Sequence, residues 1–224
     1  MATNLDLEEQ EQLDELKAFW NKYGNIITWL LIAVLVGYAA WNGWNYYQRE
    51  QAGKASAMFS QLETAARAGD VDQTARIFAD LKGRYSGTTY TEQGALLTAK
   101  LQFDKSKPDD ALATLSWVES NASEPEYQSI ARLRAAGVLL DQKKYDEALK
   151  RLDAIVLKDG SSEFGALVAD RRGDVLAAQG KVDDAKAAYT KAWTAMDPKT
   201  EYRRLIDAKL TALGAPPPKT EAAP

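Results

Sequence analysis

The segment VDDAKAAY (Val182–Tyr189) is the fourth copy of a pattern that begins every 37 residues. The earlier copies are VDQTARIF (Val71–Phe78), PDDALATL (Pro108–Leu115) and YDEALKRL (Tyr145–Leu152), and they align without a gap. A fixed period of this kind is typical of helical hairpins that stack side by side. The sequence therefore predicts an all-α fold, an α-solenoid of about four hairpins.

Three positions of the pattern predict how each hairpin packs. A small residue at position four lets the second helix approach the first, and a large apolar residue one turn later fills the space beside it. An Asp at position two is predicted to cap the second helix and to complement its dipole, because stacked units hold such residues too far apart for shared chemistry. The Asp residues are Asp72, Asp109, Asp146 and Asp183. The packing positions are Thr74, Ala111, Ala148 and Ala185; Phe78, Leu115, Leu152 and Tyr189; and, three residues on, Leu81, Val118, Ile155 and Ala192.

This pattern resembles the tetratricopeptide repeat, whose usual period is about 34 residues. The three additional residues per unit are expected in loops, for example at KDGSSEF (Lys158–Phe164). The last copy carries the resemblance best, with Gly173, Gly180, Ala185, Tyr189, Ala192 and, one place late, Pro198.

The solenoid is predicted to end in a capping helix over residues 200–213. Thr200 or Asp197 would start it and Gly214 would stop it, and one face of this stretch is apolar. The Pro- and Ala-rich tail 214–224 is predicted to be disordered. The repeat domain as a whole is assigned to residues 49–213.

Before the repeats, residues 23–48 (YGNIITWLLIAVLVGYAAWNGWNYYQ) contain no charged residue. About 20 helical residues cross the ~30 Å hydrocarbon core, and aromatic residues flank this stretch as in interfacial belts. We predict a transmembrane helix. A cleaved signal peptide is the alternative, but the leader is acidic and the small-x-small triplet Ala55-Ser56-Ala57 lies far beyond the apolar run.

The flanks of this helix leave two questions open. Lys17 and Lys22 before it balance Arg49 and Lys54 after it, so the positive-inside rule predicts no orientation. Residues 1–22 are a short acidic tail, either partly helical along the membrane surface or solvated. Within the span, small residues form a strip that either meets a partner helix or reflects ordinary membrane composition: Ala33, Gly37, Ala40 and Gly43.

Composition excludes several function classes. The chain has 224 residues and no Cys or His, which argues against thiol nucleophiles, Ser-His triads and ordinary zinc sites. Its net charge is −4, and residues 1–22 alone carry six acids and two lysines, so the remainder is balanced. A balanced domain gives no electrostatic footprint for nucleic acid. We predict no enzyme, no catalytic or metal residues and no cofactor.

The first helix of each hairpin lines the concave face in such solenoids, where an extended peptide or a partner helix would bind. The candidates on that face are Leu96, Phe103, Leu133 and Leu140, with Lys100, Asp104 and Asp141 among them. The segment ADRRGD adds Asp170, Arg171 and Asp174, which alternatively form a self-paired helix face. The apolar candidates alternatively pack between helices.

The order of parts resembles the YfgM-type ancillary subunits of the bacterial SecYEG translocon. The matching segments are LKAFWNKYGN (Leu16–Asn25), GWNYYQ (Gly43–Gln48) and ADRRGDVLAAQG (Ala169–Gly180). The resemblance implies a single-pass protein of the bacterial inner membrane, with a cytoplasmic N-terminus and a periplasmic repeat domain. It also implies SecYEG, a membrane-anchored periplasmic peptidyl-prolyl isomerase chaperone and possible exported clients as partners. An envelope-assembly or cell-division scaffold shares this architecture and remains the alternative.

Overall fold

A computed structural model describes residues 7–156 and 162–216 of the chain, which are helical without strands. The chain divides into two units, residues 1–53 and 54–224, and each is described by itself. The helices are α1 (Leu7–Arg67), α2 (Val71–Tyr85), α3 (Thr89–Asp104), α4 (Pro108–Asn121), α5 (Pro125–Asp141), α6 (Tyr145–Asp153), α7 (Ser162–Ala178), α8 (Val182–Ala195) and α9 (Tyr202–Ala212). The predicted all-α fold is confirmed.

In the first unit, the stretch of α1 up to residue 53 keeps its apolar side chains exposed; Leu30, Leu35 and Trp41, for example, are 63%, 64% and 67% exposed. Two of its polar side chains bond to carbonyls of the helix itself: the Thr28 hydroxyl donates to Gly24 O at 2.7 Å, and the Asn42 amide donates to Tyr38 O at 3.0 Å. A helix in hydrocarbon has to satisfy polar groups internally in this way. Among the described residues, one helix, α1, is long and apolar enough to cross a bilayer.

In the second unit, four two-helix hairpins repeat with the predicted period. Their second helices begin at Val71, Pro108, Tyr145 and Val182, 37 residues apart. Each turn has one residue with positive φ at the same repeat position: Gly69 (72°), Ser106 (59°), Lys143 (60°) and Gly180 (77°). The amide after it bonds back to the fifth residue before, as Lys144 N does to Leu139 O at 2.9 Å. This is the Schellman ending, which satisfies the last carbonyls of the first helix.

The predicted packing positions form the cores of the hairpins. Thr74, Ala111, Ala148 and Ala185 are all 0% exposed. The large residues that follow, Phe78, Leu115, Leu152 and Tyr189, are 2–6% exposed. Helices adjacent in the chain contact each other from α2 to α9. The first helices of neighbouring hairpins also contact each other, α3 with α5 and α5 with α7. The small and large positions therefore do what their spacing predicted.

The capping role predicted for the repeated Asp is wrong. These residues lie one position inside the helix, and the N-cap positions are Asp70, Lys107, Lys144 and Lys181, of which Asp70 bonds a helical amide. A negative charge in the first turn still complements the dipole. Three of the carboxylates instead accept a hydrogen bond from a side chain of the following hairpin. Lys107 donates to Asp72 (3.1 Å), Gln142 to Asp109 (2.9 Å) and Gln179 to Asp146 (3.1 Å).

The third hairpin and the cap differ from the prediction in detail. Helix α6 ends at Asp153, so Ile155 lies beyond it, although it still packs against the hydrophobic cluster around Leu152. The loop predicted around residues 158–164 lies partly outside the described residues, as does most of the tail 214–224. Helix α9 begins at Tyr202 without a side-chain cap, because the Asp197 carboxylate instead accepts from Lys199 N in the preceding turn. Gly214 ends α9 with a φ of 74°, as predicted.

Candidate partner-binding groove

A groove of about 360 Å³ runs along the first helices of the hairpins in the second unit. Because α5 contacts both α3 and α7, side chains of three consecutive first helices meet in it. We call it the α3–α5–α7 groove. It is lined by Ala99, Lys100, Phe103, Leu115, Arg134, Gly137, Val138, Asp141 and Arg171.

The floor of the groove is apolar and its walls are charged. Ala99, Leu115 and Val138 are 3%, 2% and 6% exposed, so they form a buried floor. Phe103 is 37% exposed and presents an aromatic ring to the opening. Sites that bind a ligand usually combine an apolar lining, which holds an apolar group of the ligand, with a few polar or charged groups that fix its orientation.

Two arginines occupy one repeat position of this groove. Arg134 of α5 and Arg171 of α7 are 37 residues apart, so the repeat places them in the same row. Asp104 and Asp141 form a second row at the C-terminal ends of α3 and α5. Helix α5 carries a member of both rows, Arg134 and Asp141, seven residues or about 10 Å apart along its axis. The groove is therefore lined by the cationic row and by one member of the acidic row, Asp141.

The Arg134 guanidinium lacks a carboxylate partner in the described part of the chain. Its Nη1 donates to the carbonyl of Leu96 at 3.2 Å. Burial of the guanidinium among its neighbours lowers the pKa of Arg134, although the residue as a whole stays accessible to solvent. An accessible guanidinium without a carboxylate partner can pair with a bound anion through its remaining N–H donors.

Arg171 is only weakly neutralised. Its Nη1 lies 3.7 Å from an oxygen of Asp174, but the same carboxylate accepts from Tyr189 at 2.8 Å and pairs with Lys209 at 2.7 Å. The guanidinium lies against α5, where a methyl group added at Gly137 would be 3.6 Å from its Cζ. A methyl group there would make an ordinary van der Waals contact, so the guanidinium lies directly over Gly137 of α5.

Asp170 and Asp174 belong to the attachment of the capping helix instead of the groove. Asp170 is 1% exposed; its carboxylate accepts from Tyr202 at 2.7 Å and from Lys209 at 2.7 and 2.8 Å. Burial, together with hydrogen bonds to these carboxylates, raises the pKa of Tyr189 and of Tyr202. Both tyrosines therefore remain neutral donors, and the two aspartates pair mainly with side chains of α8 and α9, an arrangement that neither the groove nor the self-paired alternative predicted.

Of the predicted groove residues, Lys100, Phe103 and Arg171 line the groove together. Leu96 is 7% exposed and packs in the core of the first hairpins, while Leu133 and Leu140 pack around Leu139 and Leu152. These three leucines take the packing alternative because they lie on the inner face of their helices. A role of the lining residues in partner binding remains a prediction.

The sequence analysis missed Arg134, Gly137 and Val138, whereas Asp141, which it did place on this face, lines the groove. The 37-residue spacing between Arg134 and Arg171 was a signal that could have found the cationic row. A smaller hollow of about 230 Å³ between α1 and α3 shares Lys100 and Asp104 with this region. Over residues 7–156 and 162–216, no three acidic side chains converge as metal ligands would.

The predicted contact strip in the first unit is open. Ala33, Gly37, Ala40 and Gly43 are all exposed, and a methyl group added at Gly37 or Gly43 would meet nothing within 4 Å. The structure thus leaves space along this strip, and contact with another helix remains a prediction.

Fold and groove together define a tetratricopeptide-like α-solenoid that follows an apolar helix, a class of protein built for binding other polypeptides. The chain belongs to the family described as the tetratricopeptide repeat-like domain, which it matches over residues 17–215.

Two curated relatives carry the same name, ancillary SecYEG translocon subunit. The one from Neisseria gonorrhoeae is 33% identical over 132 residues, which cover 57% of this chain and 62% of the relative. The one from Haemophilus influenzae is 27% identical over 132 residues, covering 59% and 64%. The matches thus span less than two thirds of each relative's length. These relatives confirm the resemblance to the YfgM-type subunits.

Proposed function

We propose that the chain is an adaptor that binds proteins at the Sec translocon of the bacterial inner membrane. The observation that carries this proposal is the 33% identity to a protein named an ancillary SecYEG translocon subunit. The tetratricopeptide-like domain supports it, because solenoids of this class bind polypeptides on their concave face. No catalytic step is proposed: the adaptor acts by holding proteins together.

The proposed arrangement has one membrane crossing. Residues 23–48 cross the bilayer, the acidic tail 1–22 lies in the cytoplasm, and the repeat domain of residues 49–213 lies in the periplasm with the tail 214–224. This orientation rests on the resemblance to the YfgM-type subunits, because the lysines and arginines beside the span are balanced. In the membrane, the strip from Ala33 to Gly43 would contact a helix of the translocon.

In the periplasm, the repeat domain would connect the translocon with a membrane-anchored chaperone of the peptidyl-prolyl isomerase type. The α3–α5–α7 groove is the surface best suited to a polypeptide segment, since it combines an apolar floor with Lys100, Phe103 and Arg171. Held there, a chaperone would meet exported chains as they leave the translocon.

Mild-detergent purification of the full chain from its own cells tests this proposal. We expect SecYEG subunits and a peptidyl-prolyl isomerase to co-purify. A chain whose residues 23–48 are exchanged for an unrelated span serves as the matched control and separates membrane contacts from those of the repeats. Recovery of cell-wall or division proteins in place of both would favour the envelope scaffold and contradict the proposal.

A further inference from the structure

The α3–α5–α7 groove contains more positive than negative charge among its lining residues. Lys100, Arg134 and Arg171 line it together with one acid, Asp141. Lys100 is bound to Asp104 at 2.5 Å, which leaves the two arginines as the cations without a dedicated counter-ion. Arg134 bonds only a backbone carbonyl, and Arg171 shares a carboxylate that Lys209 already occupies.

From this charge arrangement, and resting on the proposed adaptor function, we propose that the groove binds an acidic segment of a partner polypeptide. A carboxylate of the segment lies between Arg134 and Arg171, and a large apolar side chain beside it packs on Phe103 and Val138. Guanidinium groups bind carboxylates through paired N–H donors, so two in one row favour an acidic side chain over a neutral one.

The neighbouring acidic row determines what else fits. Asp141 lies two helical turns from Arg134 on α5, so a polyanion such as a nucleic acid would meet repulsion there. A segment whose acidic residues are confined to one end avoids this repulsion, and a basic residue further along it would face the acidic row. The apolar floor of Ala99, Leu115 and Val138 likewise favours a polypeptide side chain over a small free anion.

Fluorescence anisotropy with the full chain in nanodiscs tests this inference. The probe is a short fluorescein-labelled Gly/Ser peptide with a central Asp-Asp-Phe, compared with Lys-Lys-Phe and Asp-Asp-Ser versions. We expect the Asp-Asp-Phe peptide to bind most tightly, with both replacements weakening binding about tenfold or more, and added salt should weaken its binding. Equal binding of the acidic and basic peptides, or binding of neither, would overturn the inference.

Variants locate the binding to the groove. Arg134→Glu and Arg171→Glu should each weaken binding of the acidic peptide about tenfold or more. Arg76→Glu makes the same charge change on the exposed face of α2 and should leave binding unchanged. If Arg134→Glu unfolds the domain, Arg171→Glu, whose side chain is 38% exposed, still decides the question. Unaltered affinity in a folded Arg171→Glu chain would overturn the inference.

The two proposals fail separately. If the wild-type chain co-purifies with SecYEG but shows no preference for the acidic peptide, the adaptor function is supported and this inference is contradicted. If the chain binds the acidic peptide through the arginines but never co-purifies with SecYEG, the proposed groove ligand is supported and the proposed function at the translocon is contradicted.

Discussion

At the scale of single residues, Gly173 lets the ring of Tyr189 on α8 lie against the backbone of α7. A Cβ atom at this position would lie 2.5 Å from two ring carbons of Tyr189. The ring is 4% exposed and its hydroxyl is bonded to Asp174 at 2.8 Å, so it has no free direction in which to move. The earlier hairpins have Leu115 and Leu152 opposite Ala99 and Ala136, so the larger Tyr189 explains why the last hairpin has Gly here.

We therefore expect Gly173→Ala to lower the free energy of unfolding by about 1–3 kcal/mol through overpacking. Denaturation of the full chain in detergent, followed by circular dichroism, measures this. Gly83→Ala is the matched control, because a Cβ there meets nothing within 4 Å. Removing a helical Gly without a clash should raise stability by about 0.5–1 kcal/mol. Equal effects of the two exchanges would contradict the packing described here.

Lys143 occupies a left-handed conformation, with a φ of 60°, where the first and last turns have Gly69 and Gly180. A residue with a Cβ atom pays about 1–2 kcal/mol for this conformation. Gly avoids that cost, but it loses more backbone entropy on folding, which offsets part of the gain. Lys143→Gly should therefore raise the free energy of unfolding by about 0.5–1 kcal/mol, and Gly180→Ala should lower it. The same denaturation experiment checks both, and a destabilised Lys143→Gly chain would contradict the assigned turn.

Glu92 is a buried carboxyl that predicts a pH dependence of stability. It is 1% exposed and accepts from Ser123 N at 2.7 Å, while its second oxygen lacks a partner. Burial raises the pKa of Glu92, against the lowering effect of the Ser123 bond. A raised pKa means that the folded state holds the proton more tightly, so stability falls as pH rises from the ordinary Glu value to the raised one.

We expect wild-type stability to fall relative to Glu92→Gln as pH rises from about 4 through the raised pKa of Glu92. Melting temperatures of both chains across this range measure the difference, because the other carboxyl groups are common to both. A difference that stays constant with pH would show that the folded state does not perturb Glu92.

At the scale of elements, α9 is joined to α7 by a buried ion pair. Lys209 of α9 contacts both Asp170 and Asp174 of α7 at 2.7 Å, and its side chain is 22% exposed. The Asp170 side chain is only 2% exposed. Replacing Asp170 by a neutral side chain removes one of the two carboxylates that hold Lys209 and weakens the hydrogen bond from Tyr202 in a buried site.

Asp170→Asn should therefore loosen α9 before it affects the rest of the domain. Hydrogen exchange followed by mass spectrometry should find faster exchange in α9 and unchanged exchange in α3. Asp183→Asn is the control, since that side chain is 100% exposed and lies 3.8 Å from Lys186, a pair of little energetic weight. Uniform acceleration over all helices would instead indicate that the capping helix has no separate stability.

The helices that sequence could predict are those fixed by the repeat. The second helices begin where VDQTARIF and its copies begin, because their small and large residues have one solution for packing. The end of α6 at Asp153 was not predictable, since no Gly or Pro follows before residue 156. Nor was the capping position, because Asp72 and its equivalents sit close enough to the helix start to resemble caps.

The sequence predicted which helices line the groove, but it predicted the residues of α5 that face the groove only to within one position. On α5 the sequence pointed to Leu133, Leu140 and Asp141, whereas Arg134, Gly137 and Val138 line the groove beside Asp141. One residue turns a helix by about 100°, which exchanges a face that packs on the next helix for one that faces the groove. Spacing fixes the existence of a face, but the tilt of α5 between α3 and α7 decides which residues occupy it.

At the scale of the whole molecule, residues 23–48 are the proposed membrane anchor of the chain. Val34 lies in the middle of this stretch and is 60% exposed. Val34→Arg should impair membrane integration by about 2.5–3.5 kcal/mol. Fractionation with alkaline extraction measures the loss, and Thr28→Val, which removes a polar group from the span, should not reduce integration. Full integration of the Val34→Arg chain would contradict an anchor in this stretch.

The adaptor account is tested most directly by photocrosslinking from the groove in intact cells. A photoreactive amino acid at Phe103 should capture a SecYEG subunit or a translocon-bound chaperone, identified by mass spectrometry. The same amino acid at Arg76, on the exposed face of α2, should not capture it. Equal products from both positions, or capture at Phe103 of proteins unrelated to export, would contradict the account.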